Sequence, residues 1–245
     1  MVVLQEQEAA VKVLLHKLNL KNKTAILIFA NSEEKELISK SVSSSGFFEL
    51  LNSETLKIVK QTGLPYFHVS EKQQIGNSFG ERFTSAIDSI FNKGFDTIIS
   101  VGNDIPHLSA KIILQAHQKL AVSDYVLGPS TDGGFYLMGF KKTHFNKTSF
   151  QNLPWQTSKL RRSLNKELQL RNIKTLYLEM LSDIDDISDI QLVLKSFRPL
   201  DFKIKKILLT LQNISKSIIS SIVVFFYQSV FKQHYNKGSP ILLHV

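Results

Sequence analysis

Two aspartates each stand beyond an apolar run, among glycines and small polar residues. Asp104 follows the run 97–101 within Gly-Asn-Asp-Ile-Pro, and Asp132 follows the run 125–127 within Gly-Pro-Ser-Thr-Asp-Gly-Gly. Open α/β sheets bind ligands beside the carboxyl ends of their strands, where carboxylate oxygens suit a divalent cation. Either aspartate alone would fit a helix cap or a turn. Because the two occur as a pair, we expect Asp104 and Asp132 to be catalytic residues.

A third acidic group follows the predicted strand 175–178. Alternation along an extended backbone places Asp183 and Asp185 on the same side. Two carboxylates on one side repel each other unless a cation or a basic group lies between them. The alternative is that the group caps the next helix, whose positive end favours carboxylates. Both interpretations stand for Asp183 and Asp185, and we assign Asp186 to the helix cap.

Glycine loops and one tryptophan supply candidate binding positions. The loop 73–82 opens a helix, so its backbone amides and Arg82 would suit a phosphate; the alternative is an ordinary solvent-facing loop. Gly133 and Gly134 would let a ligand approach the backbone closely. Trp155 would form the floor under a sugar or base, although a packed tryptophan is more common. The candidate substrate-binding residues are Gly76, Gly80, Arg82, Asn103, Gly133, Gly134, Trp155 and Thr157.

Strand and helix patterns alternate along most of the chain. The predicted strands are 25–30, 66–69, 97–101, 125–127, 135–140 and 175–178. The predicted helices are 6–20, 33–40, 79–91, 109–120, 161–170 and 188–195. This alternation favours an α/β fold with a mostly parallel central sheet and helices on both faces.

The composition is that of a globular protein, with 43% hydrophobic and 21% charged residues among 245. The sequence contains no cysteine, which fits a reducing compartment, and it shows no secretory signal pattern. We therefore expect a cytoplasmic protein. Most of the net charge of +9 comes from residues 196–245, which hold seven basic residues and one acidic residue. No arginine-rich helix, zinc-finger or RNA-binding pattern accompanies this charge, so we expect no nucleic-acid partner.

A change of pattern near residue 198 indicates two parts. We expect an α/β domain over residues 1–197 and a basic, apolar helical extension over residues 198–245. The apolar run 222–227 is too short to span a bilayer. The extension would either pack on the domain or lie on an anionic membrane surface. We expect packing, with at most weak membrane-surface association, because docked helices are more common.

Five sequence blocks in order resemble the DUF2064 family of bacterial proteins, which has a GT-A-like glycosyltransferase fold. The blocks are 74–83, 102–108, 128–139, 154–158 and 183–185, and the resemblance covers about residues 24–195. The family is similar to nucleotidyltransferases of cofactor biosynthesis. The resemblance implies Mg²⁺ or Mn²⁺ held by carboxylates at Asp104, Asp183 and Asp185. It also implies a nucleotide-activated small-molecule donor and an unidentified acceptor.

The segment after the first predicted strand departs from the family. The family's basic loop, which ends in Lys-Thr-Arg-Leu and would contact nucleotide phosphates, is replaced by residues 31–37 with Glu33 and Glu34. Carboxylates there would repel a diphosphate. We expect a metal-dependent, glycosyltransferase-like enzyme. The alternatives are a nucleotidyltransferase acting on a phosphorylated small molecule and a non-catalytic binding protein of the same fold.

Overall fold

A six-stranded sheet forms the centre of the protein. The computed structural model describes residues 23–39 and 46–214. The strands are β1 (Thr24–Phe29), β2 (Tyr66–Val69), β3 (Thr97–Val101), β4 (Tyr125–Pro129), β5 (Phe135–Lys141) and β6 (Thr175–Tyr177), in the spatial order β2-β1-β3-β5-β4-β6. β1 pairs in parallel with β2 and β3, and β4 pairs in parallel with β6. β5 lies antiparallel between β3 and β4, so it alone of the six opposes the common direction.

Helices cover the sheet. They are α1 (Glu33–Ser39), α2 (Phe47–Gln61), α3 (Phe79–Asn92), α4 (Ala110–Leu120), α5 (Lys147–Gln151), α6 (Leu160–Leu170), α7 (Ile187–Lys195) and α8 (202–214). The predicted α/β fold with a mostly parallel sheet is confirmed, although the sequence patterns do not predict α2 or α5. The predicted helix 6–20 and the extension beyond residue 214 lie outside the described residues.

The central strand β1 is apolar on both faces, as expected of a parallel strand that is covered on both sides. Ala25 and Leu27 face a largely aromatic cluster formed with α3, α5 and α6. Ile26 and Ile28 face an aliphatic cluster formed with α2 and α4. All four side chains are buried, and burial on both faces fixes the register of the strand.

The part of the C-terminal extension that the structure describes packs against the domain. On α8, Ile204, Leu208 and Leu211 are buried in a third cluster that includes Phe48 of α2 and Ile190 of α7. Their spacing of i, i+4 and i+7 forms one apolar face of the helix. None of the helices in the described part of the chain is long and apolar enough to cross a membrane.

Five strands bring their carboxyl ends to one edge of the sheet. β1, β2, β3, β4 and β6 run in the same direction, and the turn from β4 into β5 lies at the same edge. The segments that leave these strands therefore meet there. They contain the aspartates singled out above.

Candidate functional site

Three carboxylates form a close group at this edge. Asp132 lies in the turn between β4 and β5, and Asp183 and Asp185 follow β6. One oxygen from each lies within 4.8 Å of the others. Asp183 is buried and the other two are exposed, so the group opens to solvent on one side. An all-oxygen set of this kind suits Mg²⁺ or Mn²⁺, which retains water or substrate oxygens as further ligands.

An extension of the pairing between β4 and β6 holds the group together. The amide of Leu181 donates to the carbonyl of Pro129 over 3.1 Å, and the amide of Thr131 donates to the carbonyl of Leu181 over 3.1 Å. Ser130 and Leu181 form a parallel bridge. These bonds keep the turn between β4 and β5 beside the segment that carries Asp183.

The carboxylate of Asp132 is held by its own turn. The amide of Gly134 donates to Asp132 Oδ1 over 2.8 Å, and the Ser130 hydroxyl donates to the same oxygen. A Cβ atom at residue 134 would lie 3.2 Å from that oxygen and 3.2 Å from Ser130 Oγ. Gly134 therefore leaves the space in which the carboxylate folds back over its loop.

Burial and neighbouring charges make Asp183 hard to ionise. Burial raises its pKa to about 7, and the charges of Asp132 and Asp104 add to the effect. The Thr131 hydroxyl donates to Asp183 Oδ1 over 3.3 Å. A cation bound by the group would replace this proton and relieve the repulsion, so the donor set fits a divalent ion.

Asp104 lies beside the close group rather than within it. Its carbonyl accepts a hydrogen bond from the amide of Ile184 over 3.1 Å, and its charge acts on Asp183. The resemblance implied Asp104 as a metal ligand together with Asp183 and Asp185. The close group contains Asp132 together with Asp183 and Asp185, and the assignment of Asp104 as a ligand stays a prediction.

Asp186 caps α7, as the sequence indicated. Its Oδ1 accepts hydrogen bonds from the amides of Ser188 and Asp189 over 2.6 and 3.2 Å, and Asp189 Oδ2 accepts one from the amide of Asp186 over 2.9 Å. The hydrogen bond from the Ser188 hydroxyl holds the pKa of Asp186 below its ordinary value. This reciprocal cap fixes the start of α7 directly behind Asp185.

The close group lines a cleft with a volume of about 710 Å³, which is within the range of small-molecule sites. The predicted site residues that line this cleft are Arg82, Asn103, Asp104, Asp132, Gly134, Trp155, Thr157, Asp183 and Asp185. Residues far apart in the sequence thus share one cavity, and most of the predicted site is brought together.

Two cationic side chains line the same cleft. Arg82 is predicted from the sequence and is held in place, because its Nε donates to Gln74 Oε1 over 3.0 Å and its Nη1 donates to the carbonyl of Asn77 over 3.2 Å. Lys35 on α1 is exposed and is not predicted. Its position in the segment after the first strand could indicate a role in binding. The glutamates around it make this role hard to recognise in the sequence.

Three predicted binding glycines do not line the cleft and instead permit close packing. A Cβ atom on Gly80 would lie 2.2 Å from the carbonyl oxygen of Gln151, so Gly80 allows α3 to approach α5. Gly133 has a φ of +97°, and its Cβ would lie 2.7 Å from the carbonyl oxygen of Ser158. Gly76 has a φ of +136°, and its Cβ would collide with the first turn of α3. The structure thus gives these glycines a packing role, and their contact with a substrate stays a prediction.

Trp155 both packs in the core and lines the cleft. Its Nε1 donates to the carbonyl of Phe150 over 2.8 Å, and its ring centroid lies 5.4 Å from that of Phe79 and 4.9 Å from that of Phe150. The Thr157 hydroxyl donates to the carbonyl of Pro154 over 2.7 Å, which shapes the same loop. The two interpretations of Trp155 are therefore compatible.

Carboxylates accept hydrogen bonds in the segment that follows β1. The amide and the hydroxyl of Ser32 each donate to Glu71 over 2.7 Å, and Glu33 accepts from the amide of the residue that precedes α2. Glu36 is buried and lines the cleft, whereas Glu33 and Glu34 do not. Glu36 is therefore the carboxylate of this segment that a diphosphate in the cleft would meet.

A partly buried pair of asparagine side chains connects α2 to the site. Asn103 Nδ2 donates to Asn52 Oδ1 over 2.7 Å, and Asn52 Nδ2 donates to the carbonyl of Asn31 over 3.2 Å. The pair joins the segment after β3 to the segment after β1. The sequence offers no signal for Asn52, because its partner lies 51 positions away.

Replacement of Asp104 by asparagine is expected to weaken Mn²⁺ binding by about threefold to tenfold, because Asp104 adds charge near the group of three. Calorimetric titration with Mn²⁺ measures the change. The half-buried Asp88, which pairs with Lys147 over 2.8 Å, provides the control variant Asp88→Asn. A loss beyond about a hundredfold would show that Asp104 is itself a ligand.

Comparison with known proteins relates the chain to one family. Residues 57–157 match the profile of the family described as "Uncharacterized protein conserved in bacteria (DUF2064)". This segment runs from α2 to the end of the tryptophan loop and contains Asp104 and Asp132. No curated protein matches the chain significantly in sequence.

Solved structures resemble this chain to different degrees. A "putative nucleotide-diphospho-sugar transferase" from Desulfovibrio desulfuricans G20 gives a TM-score of 0.68 at 20% identity, over 78% of this chain and 97% of its own. Rv0371c from Mycobacterium tuberculosis H37Rv, in a complex with manganese, gives a TM-score of 0.42 at 12% identity. The match covers 71% of this chain and 100% of that chain. A cytidylyltransferase from Leptospira borgpetersenii gives a TM-score of 0.40 at 16% identity. The match covers 81% of this chain and 97% of that chain. The fold assignment rests on the first of these three.

Proposed function

We propose that this chain, whose residues 57–157 match the DUF2064 family profile, is a divalent-cation-dependent transferase acting on a nucleotide-activated donor. The observation that carries this proposal is the close group of Asp132, Asp183 and Asp185 on the wall of a cleft of about 710 Å³. Carboxylates at strand ends beside such a cleft suit a cation that is shared with the phosphates of a donor.

The carboxylates and the cations of the cleft have complementary roles in this proposal. A bound Mg²⁺ or Mn²⁺ would supply positive charge to the leaving phosphates. The group of three would hold the ion, while Arg82, with its guanidinium already oriented, would bind phosphate oxygens in the same cleft. Lys35 adds a second positive charge to the cleft. Asp104 and Asp132 remain the proposed catalytic residues, and Asp132 would accept hydrogen bonds from sugar hydroxyls.

We place transfer of a sugar ahead of transfer of a nucleotidyl group. The description of the Desulfovibrio structure supports this order, and the exposed side of the carboxylate group leaves room for an acceptor hydroxyl. A nucleotidyltransferase acting on a phosphorylated small molecule would use the same ion and the same cations. The two reactions differ in their product, which is a nucleoside diphosphate in the first and pyrophosphate in the second.

Ligand binding without turnover is the second candidate function. The observation that favours it is the carboxylate of Glu71, which already accepts hydrogen bonds from the Ser32 amide and hydroxyl. Backbone amides after the first strand are the groups that would otherwise bind donor phosphates. With Glu36 also on the cleft wall, diphosphate binding should be micromolar or weaker.

Incubation with Mn²⁺, a panel of nucleoside diphosphate sugars and a set of hydroxyl-bearing acceptors, with water as the acceptor of last resort, separates the candidates. Release of a nucleoside diphosphate that stops on chelation of the cation supports sugar transfer. Binding by calorimetry without release of any product supports the binding protein. Absence of both binding and turnover across the panel would contradict both candidates.

Replacement of Arg82 by glutamine is expected to weaken binding of a nucleoside diphosphate sugar by about tenfold or more, because a charge-assisted contact to phosphate is lost. Calorimetry in the presence of Mn²⁺ measures the change. Arg162 on α6 is exposed and does not line the cleft, so Arg162→Gln is the matched control. Equal affinities of the Arg82 variant and the parent would remove Arg82 from the donor site.

A further inference from the structure

The outward face of α8 is apolar. Phe202 and Leu209 lie two helical turns apart and are exposed, Phe202 to 78% and Leu209 to 41%. At about 100° per residue, they stand opposite the buried residues Ile204, Leu208 and Leu211. The helix is therefore apolar on two sides, and the domain covers one of them.

Positive charge surrounds the outward face. Lys203, Lys205 and Lys206 on α8 are exposed, and none of them forms an ion pair within the described part of the chain. Residues 196–245 contain a single acidic residue, Asp201. Asp201 Oδ1 accepts a hydrogen bond from the amide of Lys203 over 2.8 Å at the start of the helix, so its carboxylate serves as a cap.

A second exposed phenylalanine lies five positions before Phe202. Phe197, in the link between α7 and α8, is fully exposed. Two exposed phenylalanines within six residues of sequence, with three exposed lysines on α8, are apolar groups that a protein in water normally covers. We call Phe197, Phe202 and Leu209, with Lys203, Lys205 and Lys206, the basic apolar face.

We propose that the basic apolar face attaches the protein to the surface of an anionic phospholipid membrane. The aromatic rings would enter the headgroup layer, and the lysines on both sides of the apolar stripe would contact phosphate groups. The choice of partner rests on charge. Exposed lysines that form no ion pairs are free to contact the mobile anionic headgroups of a membrane. The sequence after α8 continues the same composition, with Ile218, the run 222–227 and Lys216 and Lys232.

Sedimentation of the full chain with lipid vesicles tests the proposal. Binding is expected to vesicles of phosphatidylcholine mixed with phosphatidylserine, to be much weaker with pure phosphatidylcholine, and to fall with added salt. The double variant Phe197→Ser and Phe202→Ser should lower partitioning by about tenfold or more, because both rings lose their apolar environment. Lys205→Gln with Lys206→Gln should lower it severalfold and reduce the salt dependence.

Leu170→Ser on α6 is the matched control, because Leu170 is 75% exposed and lies outside the basic apolar face. Its vesicle binding should equal that of the parent. Absence of binding to anionic vesicles would overturn the proposal. Binding that survives the double phenylalanine variant would assign attachment to residues 215–245 instead. Analytical ultracentrifugation tests for self-association. If the parent self-associates and the double phenylalanine variant does not, a second copy of the chain covers the face.

Discussion

Replacement of Asp183 by asparagine is expected to abolish the stabilisation of the protein by Mn²⁺. The side chain is the buried member of the close group, and a neutral amide oxygen binds a divalent cation less strongly than a carboxylate does. The local shape is retained, because the Thr131 hydroxyl can donate to the amide oxygen as it donates to Asp183 Oδ1. We expect a folded variant whose unfolding midpoint no longer rises with added Mn²⁺.

The same variant should change how the stability of the cation-free protein depends on pH. Burial raises the pKa of Asp183 from 3.8 to about 7, so the native state keeps a proton that the unfolded chain releases. This contribution to stability is fully present below about pH 4 and is lost as the pH rises to about 7. The loss is at most about 4 kcal/mol, since one pKa unit corresponds to about 1.4 kcal/mol. Asparagine does not titrate, so Asp183→Asn does not lose this stability as the pH rises. Above pH 7 the variant should therefore be more stable than the cation-free parent.

Denaturant unfolding at about pH 5 and about pH 8, with and without Mn²⁺, measures both effects. Asp88→Asn controls for removal of a surface carboxylate, and it should respond to Mn²⁺ as the parent does. A Mn²⁺ response retained by Asp183→Asn would contradict the metal assignment. Parallel pH profiles of parent and variant would contradict the raised pKa while leaving the metal assignment open to its own test.

Replacement of Gly80 by alanine is expected to destabilise the protein by about 3 kcal/mol, although the residue lies in the first turn of a helix. Alanine normally stabilises a helix relative to glycine by up to about 1 kcal/mol. At Gly80 the added methyl group would lie 2.2 Å from the carbonyl oxygen of Gln151 and 2.8 Å from Trp155 Cδ1. A backbone oxygen cannot retreat unless α5 moves, so the cost of overpacking exceeds the gain in helix propensity.

Gly63→Ala is the control for the general cost of adding a methyl group. Gly63 has a φ of +71° and open space around its Cβ position, so its variant should lose only about 1 kcal/mol from backbone strain. Chemical denaturation compares the two. Trp155 is the single tryptophan, so its fluorescence reports directly on the contact between α3 and α5. A neutral or stabilising Gly80→Ala would show that the two helices do not approach this closely.

Local pattern accounts for most of the fold. β2 and β3 begin and end where alternation and the flanking turns predict, and Ser78 and Ser109 cap α3 and α4 through their side chains. The missed helix α2 carries a readable signal, since Leu51, Thr55 and Val59 on its buried side are four residues apart. Serines and a glycine before it indicate a loop and conceal the start of the helix.

Local pattern accounts for less of the site. Acidic residues at the ends of predicted strands identify the segments that form the site. Which of these residues come close together depends on the order of the strands in the sheet, and the alternation of strand and helix patterns does not determine that order. The pairing of β4 with β6 places the turn that carries Asp132 beside the segment that carries Asp183, whereas β5 and β4 separate β3, which precedes Asp104, from β6. The glycines depend on distant partners as well. Nothing near Gly80 or Gly133 in the sequence indicates that a carbonyl from 151 or 158 occupies the space of the missing side chain.

The pairing of Leu181 with the end of β4 has a consequence for motion. β6 is a three-residue strand at the edge of the sheet, and such edges open locally at low free energy. Opening would pull Asp183 away from Asp132, so an ion shared by both would oppose it. Hydrogen exchange at the amides of Thr131 and Leu181 should therefore slow when the ion binds. Occupancy of the site and closure of the sheet edge are then linked equilibria, so that each favours the other.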